Sequence, residues 1–273
     1  MRYSVVAGGK RLRPILVLAA ADAVGRHQSR DSMALALPAA CAVEFIHTYS
    51  LIHDDLPAMD NDTLRRGRPT LHVVYGDGMA ILAGDALQAE AFALIAREPP
   101  ASDPLIAARK LSTARVIADA AGASGMVGGQ AIDLQAAGQI PGHALRLDGE
   151  GLRDMHLRKT GALIRASAVS GAIMGGATHE TIEAVTRWAS DIGLAFQIVD
   201  DILDVEGSAR ELGKTVGKDV AGDKPTYPAL FGMDRARSMA GECAERARAV
   251  LIEADLTEGW LDAIAEWVLT RKN

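Results

Sequence analysis

The chain has 273 residues, of which 49% are hydrophobic, 23% are charged and only 4% are aromatic. This composition is typical of a globular protein with a sizeable core, and the abundance of alanine and leucine favours helix over sheet. The net charge of −6 argues against binding to nucleic acid or to an anionic membrane surface.

The two cysteines, Cys41 and Cys243, have neither the spacing of metal ligands nor that of a disulfide framework. No apolar signal segment follows Met1. The longest apolar stretches, such as residues 166–178, are shorter than the roughly 18 to 20 residues that a membrane-spanning helix needs. The sequence therefore predicts a cytoplasmic protein that is not inserted in a membrane.

Helix-like segments follow one another along the chain, separated by helix-ending sequences such as REPPASDP, and none shows sustained strand alternation. Two long loops, at residues 138–149 and 207–225, are of the kind that often carries function. The pattern predicts one all-α domain over residues 1–273. The predicted helices lie at residues 14–23, 35–56, 79–97, 104–126, 151–174, 179–204, 228–254 and 259–272.

The first acidic cluster, LIHDDLPAMDND, places four aspartates within nine positions. On a continuous helix Asp60 would lie about 240° from Asp54. Pro57 ends or bulges the helix, because its ring would clash with the carbonyl of His53. The interruption lets Asp60 return toward Asp54, while His47, seven residues before Asp54, shares the face of Asp54.

The second acidic cluster is FQIVDDILDVEG, residues 196–207. Asp200, Asp201 and Asp204 share one helix face, with Gln197 one turn earlier. A single aspartate pair would be explained by helix capping or a surface patch, but two clusters after apolar helices favour a hard cation. Mg²⁺ fits, since it binds one or two carboxylates together with substrate phosphates.

A phosphorylated ligand requires basic residues, and these occur in clusters beside the acidic ones. The spacing of a P-loop is absent from GGKRLRP. The clusters predict two anionic sites, one bridged by metal and one bound by arginine and lysine. The basic segments are GGKRLRP at residues 8–14, LRRGRPT at 64–70, RKTGAL at 158–163, and LGKTVGKD at 212–219, followed by Lys224.

These motifs, together with GGQ and Asp133, resemble in order those of the trans-isoprenyl diphosphate (polyprenyl) synthases, most closely the bacterial farnesyl diphosphate synthases. The resemblance extends over almost the whole chain, through Leu230. It implies an isoprenoid synthase-type helical bundle around a central cavity, a homodimer, and three Mg²⁺ ions, for which Mn²⁺ can substitute. Family members usually carry a further helix before Arg2, so the sequence is expected either to be truncated at its start or to lack that helix.

The resemblance also implies a role for each matching residue. Asp54 and Asp60 would bind Mg²⁺ on one wall with Asp55 in support, and Asp200 on the facing wall with Asp201 and Asp204 nearby. Arg65, Lys159 and Lys214 would hold the allylic diphosphate, with Lys224 close to it, and Thr160 and Gln197 would line the reacting carbons. Isopentenyl diphosphate would be held by Lys10, Arg13, His47 and Arg66. Tyr49 and Ser50, one turn before Asp54, would limit the product chain length.

The implied reaction condenses isopentenyl diphosphate head-to-tail with dimethylallyl and geranyl diphosphates to give (2E,6E)-farnesyl diphosphate. A geranylgeranyl diphosphate synthase is the main alternative. A class I terpene cyclase usually replaces the second acidic motif and lacks the site represented by GGKRLR. A non-catalytic partner subunit typically loses the aspartates, and both sets are present here.

Overall fold

The computed structural model describes residues 1–26, 31–100, 102–211 and 226–271 of the chain. The described residues are mostly helical, with only two short strands among them, which confirms the predicted all-α class. The helices are α1 (Arg2–Val5), α2 (Leu12–Gly25), α3 (Ser32–Asp54), α4 (Leu71–Tyr75), α5 (Asp77–Arg97), α6 (Pro104–Ala121), α7 (Met126–Ala136), α8 (Gly149–His156), a π-helix (Leu157–Gly161), α9 (Ala162–Gly175), α10 (His179–Glu211), α11 (Tyr227–Phe231), α12 (Met233–Glu253) and α13 (Leu261–Thr270).

The chain divides into two compact units. The N-terminal unit comprises Met1–Ala118 and Ala166–Thr178, and the C-terminal unit comprises Asp119–Arg165 and His179–Asn273. The single domain expected over residues 1–273 therefore stays a prediction.

In the N-terminal unit, α3 is the central helix and packs against α2 on one side and α5 on the other. Asp31 caps its first turn, accepting a hydrogen bond from the Ala34 backbone N–H at 3.0 Å. Part of α9 approaches α2 closely, because a Cβ on Gly171 would meet the carbonyl of Val17. The apolar sequence of α3 is thus explained by packing on both sides.

By length and hydropathy, α3 and α5 could each cross a membrane, contrary to the expectation that every apolar stretch is too short. The most apolar 18-residue window of α3 is 56% buried, so its composition is that of a core helix. The corresponding window of α5 is only 28% buried, which leaves apolar side chains on its surface.

In the C-terminal unit, α10 is the long central helix and packs along α12, α13 and the π-helix. Gly193 permits its close approach to the π-helix, since a Cβ there would lie 3.3 Å from the Cα of Gly161. The two glycines therefore bring α10 next to the segment that carries Lys159 and Thr160.

Several predicted helix boundaries were wrong. The predicted helix 104–126 ends at Ala121, and a separate helix, α7, begins at Met126 after a turn in which the Gly125 N–H bonds the Gly122 carbonyl at 3.0 Å. The predicted helix 228–254 is interrupted at Gly232, whose φ of 83° is incompatible with continued helix. Helix α10 continues through Gly207 to Glu211, into the predicted loop, because an isolated glycine weakens a helix without ending it.

A short hairpin was also missed. Strand β1 (Leu64–Arg65) pairs antiparallel with β2 (Arg68–Pro69) in the N-terminal unit. Two residues per strand are too few to show the alternation of polar and apolar residues by which strands are recognised. The hairpin follows the first acidic cluster directly and carries three of the predicted basic residues.

Candidate active site

The first acidic cluster turns back on itself at the end of α3. The helix ends at Asp54, three residues before Pro57, as the sequence predicts. The Asp60 backbone N–H then bonds the Asp54 carbonyl at 2.9 Å. This bond brings the backbones of the two aspartates together at the end of α3, where Asp54 is half-buried and Asp60 is exposed.

The Asp55 carboxylate, in contrast, forms an ion pair with the Arg65 side chain. Its carboxylate is only 4% exposed and accepts hydrogen bonds from the Arg65 guanidinium at 2.9 and 2.5 Å. Arg65 also bonds Asp62 at 3.0 Å. Burial raises the pKa of Asp55 although Arg65 opposes the shift. Asp55 therefore holds Arg65 in place next to the first acidic cluster, and its supporting role in metal binding stays a prediction.

Basic side chains gather around His47 on α3. The pKa of His47 lies well below its usual value, first because the imidazole is buried and then because Arg13, Arg66, Arg11 and Arg65 are close to it. Tertiary structure thus brings the loop after α1 together with the hairpin, although more than fifty residues separate them in the sequence. The four arginines around a neutral imidazole create a positive potential, which favours the binding of an anionic ligand.

This setting predicts that the protein loses stability in mild acid. Because the folded-state pKa of His47 is depressed, the unfolded chain binds more protons below about pH 6.5, and the free energy of unfolding falls as the pH drops. For one such proton the slope approaches about 1.4 kcal/mol per pH unit. Urea unfolding at several pH values between 5 and 7.5 measures how the free energy of unfolding changes with pH. The variant His47→Gln should show a smaller slope, and an equal slope in both proteins would contradict the assignment.

The second acidic cluster lies on one face of α10, as predicted. The Asp200 carboxylate forms an ion pair with Arg271 at 2.6 Å, and Gln197 Nε2 lies 3.4 Å from its other oxygen. Asp201 accepts a hydrogen bond from the Tyr227 backbone N–H at 2.9 Å and so fixes the start of α11. Asp204 is exposed. The three carboxylates thus have different surroundings, and Asp201 has a structural bond.

Arg271 is a residue that the sequence analysis missed. Its side chain is 1% exposed, its guanidinium carbon lies 3.9 Å from the centroid of the Phe196 ring, and it donates a hydrogen bond to the Phe196 carbonyl at 2.8 Å. A lone arginine after a terminal helix is usually explained by solubility, so no local signal distinguishes it. The packing makes it the counter-ion of Asp200.

Lys159 and Thr160 lie in the π-helix, a wide turn of a kind that is frequent at functional sites. The Lys159 ammonium forms an ion pair with the buried carboxylate of Asp133 on α7. Gly129 makes this possible, since a Cβ there would meet the backbone N and Cα of Lys159. Gly129 of the GGQ motif and Asp133 therefore position the segment that carries Lys159.

Replacing Gly129 by alanine is expected to lower the free energy of unfolding by about 1–3 kcal/mol, because the added methyl group meets backbone atoms that cannot move away easily. The matched control is Gly241→Ala in α12, where an added Cβ has nothing within 4 Å. That change should stabilise the helix by about 0.5–1 kcal/mol. Urea unfolding of both variants measures whether the free energy of unfolding falls or rises in each. A Gly129→Ala protein as stable as the parent would contradict the close approach of Gly129 to the Lys159 backbone.

The two acidic clusters suit a cation that is shared with a ligand. In the described part of the chain, no group of three or more His, Cys, Asp or Glu side chains converges to hold a metal ion. Asp54 with Asp60, and the carboxylates of α10, are hard oxygen donors that offer fewer than three ligands per ion. Mg²⁺ fits this donor set, because it keeps several waters and takes further ligands from substrate phosphates.

Several predicted site residues remain untested by the geometry. Lys214 and Lys224 lie outside the described residues. The two acidic clusters belong to different units, so their position on facing walls stays a prediction. Lys10, Arg13, Arg66 and His47 lie in one unit, while Lys159, Thr160 and Gln197 lie in the other.

The predicted chain-length residues lie on the buried part of α3. Tyr49 is 6% exposed and packs edge-on against His53, with ring centroids 5.7 Å apart. Burial and the Asp54 carboxylate raise the pKa of Tyr49. Ser50 Oγ donates a hydrogen bond to the His47 carbonyl at 2.9 Å. Helix α5 approaches closely at Gly84, where a Cβ would meet the His53 ring, so this region is tightly packed.

Known proteins resemble the chain over its full length. The family model for polyprenyl synthetase matches residues 1–251. The heterodimeric geranylgeranyl pyrophosphate synthase large subunit 1 of Arabidopsis thaliana is 47% identical over 100% of this chain and 71% of its own length. The geranylgeranyl diphosphate synthase of Cyanophora paradoxa is 44% identical over 100% of this chain and 87% of its own. A crystal structure of an FPP/GFPP synthase from Zymomonas mobilis has a TM-score of 0.81 and 40% identity over 98% of this chain and 86% of its own.

The all-α isoprenoid synthase fold, the two aspartate clusters and the neighbouring basic residues define a trans-prenyltransferase. The match extends over most of the chain, and several relatives share more than 40% of its residues. The chain belongs to the polyprenyl synthetase family. The family suggested by the sequence motifs is thereby confirmed.

Proposed function

We propose that the protein condenses isopentenyl diphosphate with dimethylallyl and then geranyl diphosphate, and stops at (2E,6E)-farnesyl diphosphate. The observation that carries this proposal is Tyr49, a bulky aromatic side chain that is buried on α3 one turn before Asp54. A prenyl tail that grows away from the diphosphate end of the site would meet its ring. The named activity of the relatives from Arabidopsis and Cyanophora favours geranylgeranyl diphosphate as the second candidate product.

The basic cluster around His47 supports a binding site for isopentenyl diphosphate. Arg13 and Arg66 supply positive charge close to His47, and the neutral imidazole of His47 can donate or accept a hydrogen bond. By the resemblance, Lys10 would add a further positive charge. Arginine is well suited to this role, because its planar guanidinium binds phosphate oxygens through two parallel bonds. The cluster would hold the diphosphate and leave the alkene free to react.

The resemblance assigns the binding of the allylic diphosphate to the carboxylates of both acidic clusters and to four basic residues. They are Asp54, Asp60, Asp200, Asp201, Asp204, Arg65, Lys159, Lys214 and Lys224. Mg²⁺, when bound by these carboxylates and by the diphosphate, supplies charge stabilisation to the leaving group. Lys159 adds positive charge at a fixed position, because Asp133 anchors its ammonium. Arg65 is held in the same way by Asp55.

The reaction then needs stabilisation of an allylic cation without its capture. Once the carbon–oxygen bond breaks, the carbonyl of Lys159, the hydroxyl of Thr160 and the amide oxygen of Gln197 would turn their negative dipole ends toward the cation. The alkene of isopentenyl diphosphate attacks, a carbon–carbon bond forms, and a proton is lost to the departed diphosphate. The wide turn of the π-helix gives Lys159 and Thr160 a geometry that a regular helix does not offer.

We also propose that the protein is a cytoplasmic homodimer. Helix α5 carries the exposed apolar residues Met79, Ile81 and Leu82, which are 58%, 44% and 61% exposed. Val73 and Val74 on α4 are exposed as well. Exposed apolar patches of this kind mark interaction surfaces, and a second copy of the chain would cover them. Sedimentation of the purified protein tests this part of the proposal.

Incubation of the purified protein with dimethylallyl and isopentenyl diphosphates in Mg²⁺ tests the proposed reaction. Chromatography of the products separates the candidates. Fifteen-carbon product supports the proposal, and mainly twenty-carbon product supports the second candidate instead. Cyclisation of a longer diphosphate, without condensation of the C5 substrates, would indicate a terpene cyclase. No turnover of any of these substrates would indicate a non-catalytic subunit.

A further inference from the structure

Arg66 lies at the turn of the hairpin formed by β1 and β2. Arg66 and Gly67 both have positive φ values, of 55° and 73°, as in the two-residue type I′ turns that join antiparallel strands. A ribbon with two residues in each strand is not stable by itself in water. Contacts from outside the hairpin must therefore hold Arg66 in place.

One side of the hairpin is held by the acidic cluster. Arg65 is bound by Asp55 and Asp62, and Thr70 Oγ1 donates a hydrogen bond to the Asp62 carbonyl at 2.8 Å. These contacts fix the first strand and the base of the hairpin. Strand β2 is held less firmly by backbone hydrogen bonds to β1, because Pro69 has no N–H to donate.

The other side is held by the N-terminal segment, and Tyr3 is its main contact. The Tyr3 hydroxyl donates a hydrogen bond to the Pro69 carbonyl at 2.7 Å. The guanidinium carbon of Arg68 lies 4.7 Å from the centroid of the Tyr3 ring, a cation–π distance. Tyr75 packs edge-on against the same ring at 5.9 Å and restricts its movement. Tyr3 thus contacts both residues of β2.

Arg66 itself reaches the same segment. Its guanidinium donates a hydrogen bond to the Gly8 carbonyl. Gly9, with a φ of 120°, leaves room for that guanidinium, which a Cβ would meet. The segment from Tyr3 to Gly9 therefore contacts the hairpin at β2 and at its turn. It leads directly into Lys10 and into the first turn of α2, which carries Arg13.

We propose that Tyr3 is a positioning residue for the binding of isopentenyl diphosphate. Tyr3 holds the hairpin so that Arg66 faces the diphosphate together with residues 8–13. The inference rests on the proposed function, because it takes Arg66 as a ligand of that substrate. Tyr3 acts through Arg68 and Pro69 and does not itself touch substrate. The allylic substrate depends less on Tyr3, since Asp55 and Asp62 hold Arg65 independently.

The test compares Tyr3→Ala, Tyr3→Phe and Arg66→Ala with the control Tyr75→Phe, which removes a hydroxyl from the same aromatic cluster but keeps the bond to Pro69. We expect the KM for isopentenyl diphosphate to rise about tenfold in Tyr3→Ala, which loses the hydrogen bond and the ring. A rise of about threefold is expected in Tyr3→Phe, which loses only the hydrogen bond. In both variants kcat and the KM for the allylic substrate should stay within about twofold of the parent. Tyr75→Phe should resemble the parent.

The outcomes separate this inference from the proposed function. If Arg66→Ala leaves the KM for isopentenyl diphosphate unchanged, Arg66 is not its ligand, and both the assignment and the inference are wrong. If Arg66→Ala raises that KM and the Tyr3 variants do not, only the inference is wrong. A merely structural role would lower the melting temperature and kcat without selecting one substrate. Because Tyr3→Phe keeps the ring packing, it remains informative even if Tyr3→Ala does not fold.

Discussion

Replacing Asp54 by alanine, or Asp200 by alanine, is expected to reduce turnover by at least about a hundredfold in each case. In the proposed mechanism each carboxylate would help to hold the cation that stabilises charge on the departing diphosphate. Losing such stabilisation costs several kcal/mol, and every ~1.4 kcal/mol is a factor of ten in rate. Steady-state rates with both substrates, measured with Mg²⁺ and again with EDTA, test the expectation. A rate near that of the parent, in EDTA or in either variant, would contradict it.

Two control variants separate loss of the carboxylate from other effects. Asp77→Ala removes an exposed carboxylate from the first turn of α5, in the same unit as Asp54, and should leave turnover nearly unchanged. Arg271→Gln removes the ion-pair partner of Asp200 but keeps its carboxylate. If Arg271→Gln lowers turnover as much as Asp200→Ala, the ion pair rather than the metal-type carboxylate accounts for the loss.

Replacing Tyr49 by alanine is expected to shift the main product from fifteen to twenty carbons while condensation continues. The Tyr49 ring is buried and tightly packed, and a close-packed wall yields to a longer tail only at a cost of about 1–3 kcal/mol. Removing the ring opens the space that one more isoprene unit needs. Chromatography of products from dimethylallyl and isopentenyl diphosphates gives the distribution. Mostly twenty-carbon product from the parent, or fifteen-carbon product from the variant, would show that Tyr49 is not the barrier.

Two further variants test the same prediction in case Tyr49→Ala does not fold. Truncation of a buried aromatic ring to alanine typically costs about 3–5 kcal/mol, so Tyr49→Met provides a flexible side chain of intermediate size. It should also lengthen the product. Tyr49→Phe keeps the ring and loses only the hydroxyl, so its product should match that of the parent.

Local sequence patterns predicted the parts of the site that lie within one helix or its end. The spacing of Asp200, Asp201 and Asp204 fixes a common face on any continuous helix, and α10 is continuous there. Pro57 predicted the end of α3, because the steric conflict of a proline concerns only the preceding turn. These features depend on residues fewer than eight positions apart, where the helical period is sufficient.

The same patterns failed at short elements and at breaks. The hairpin of β1 and β2 is too short to show a period, and the turn between α6 and α7 was read as helix. The π-helix at Lys159 was not predicted either, nor was the close approach of Gly129 to the Lys159 backbone. Contacts of this kind join segments about thirty residues apart.

The sequence by itself therefore determined the all-α class, the family, and the carboxylate and basic clusters that carry the proposed chemistry. Only the tertiary structure decided the partner of each charged group: Arg65 with Asp55, Lys159 with Asp133, and Arg271 with Asp200. It also decided that Tyr3 bonds Pro69, 66 positions away. The physical reason is that the helical period relates neighbours within a few turns, whereas burial and electrostatic pairing between distant segments depend on how the helices pack.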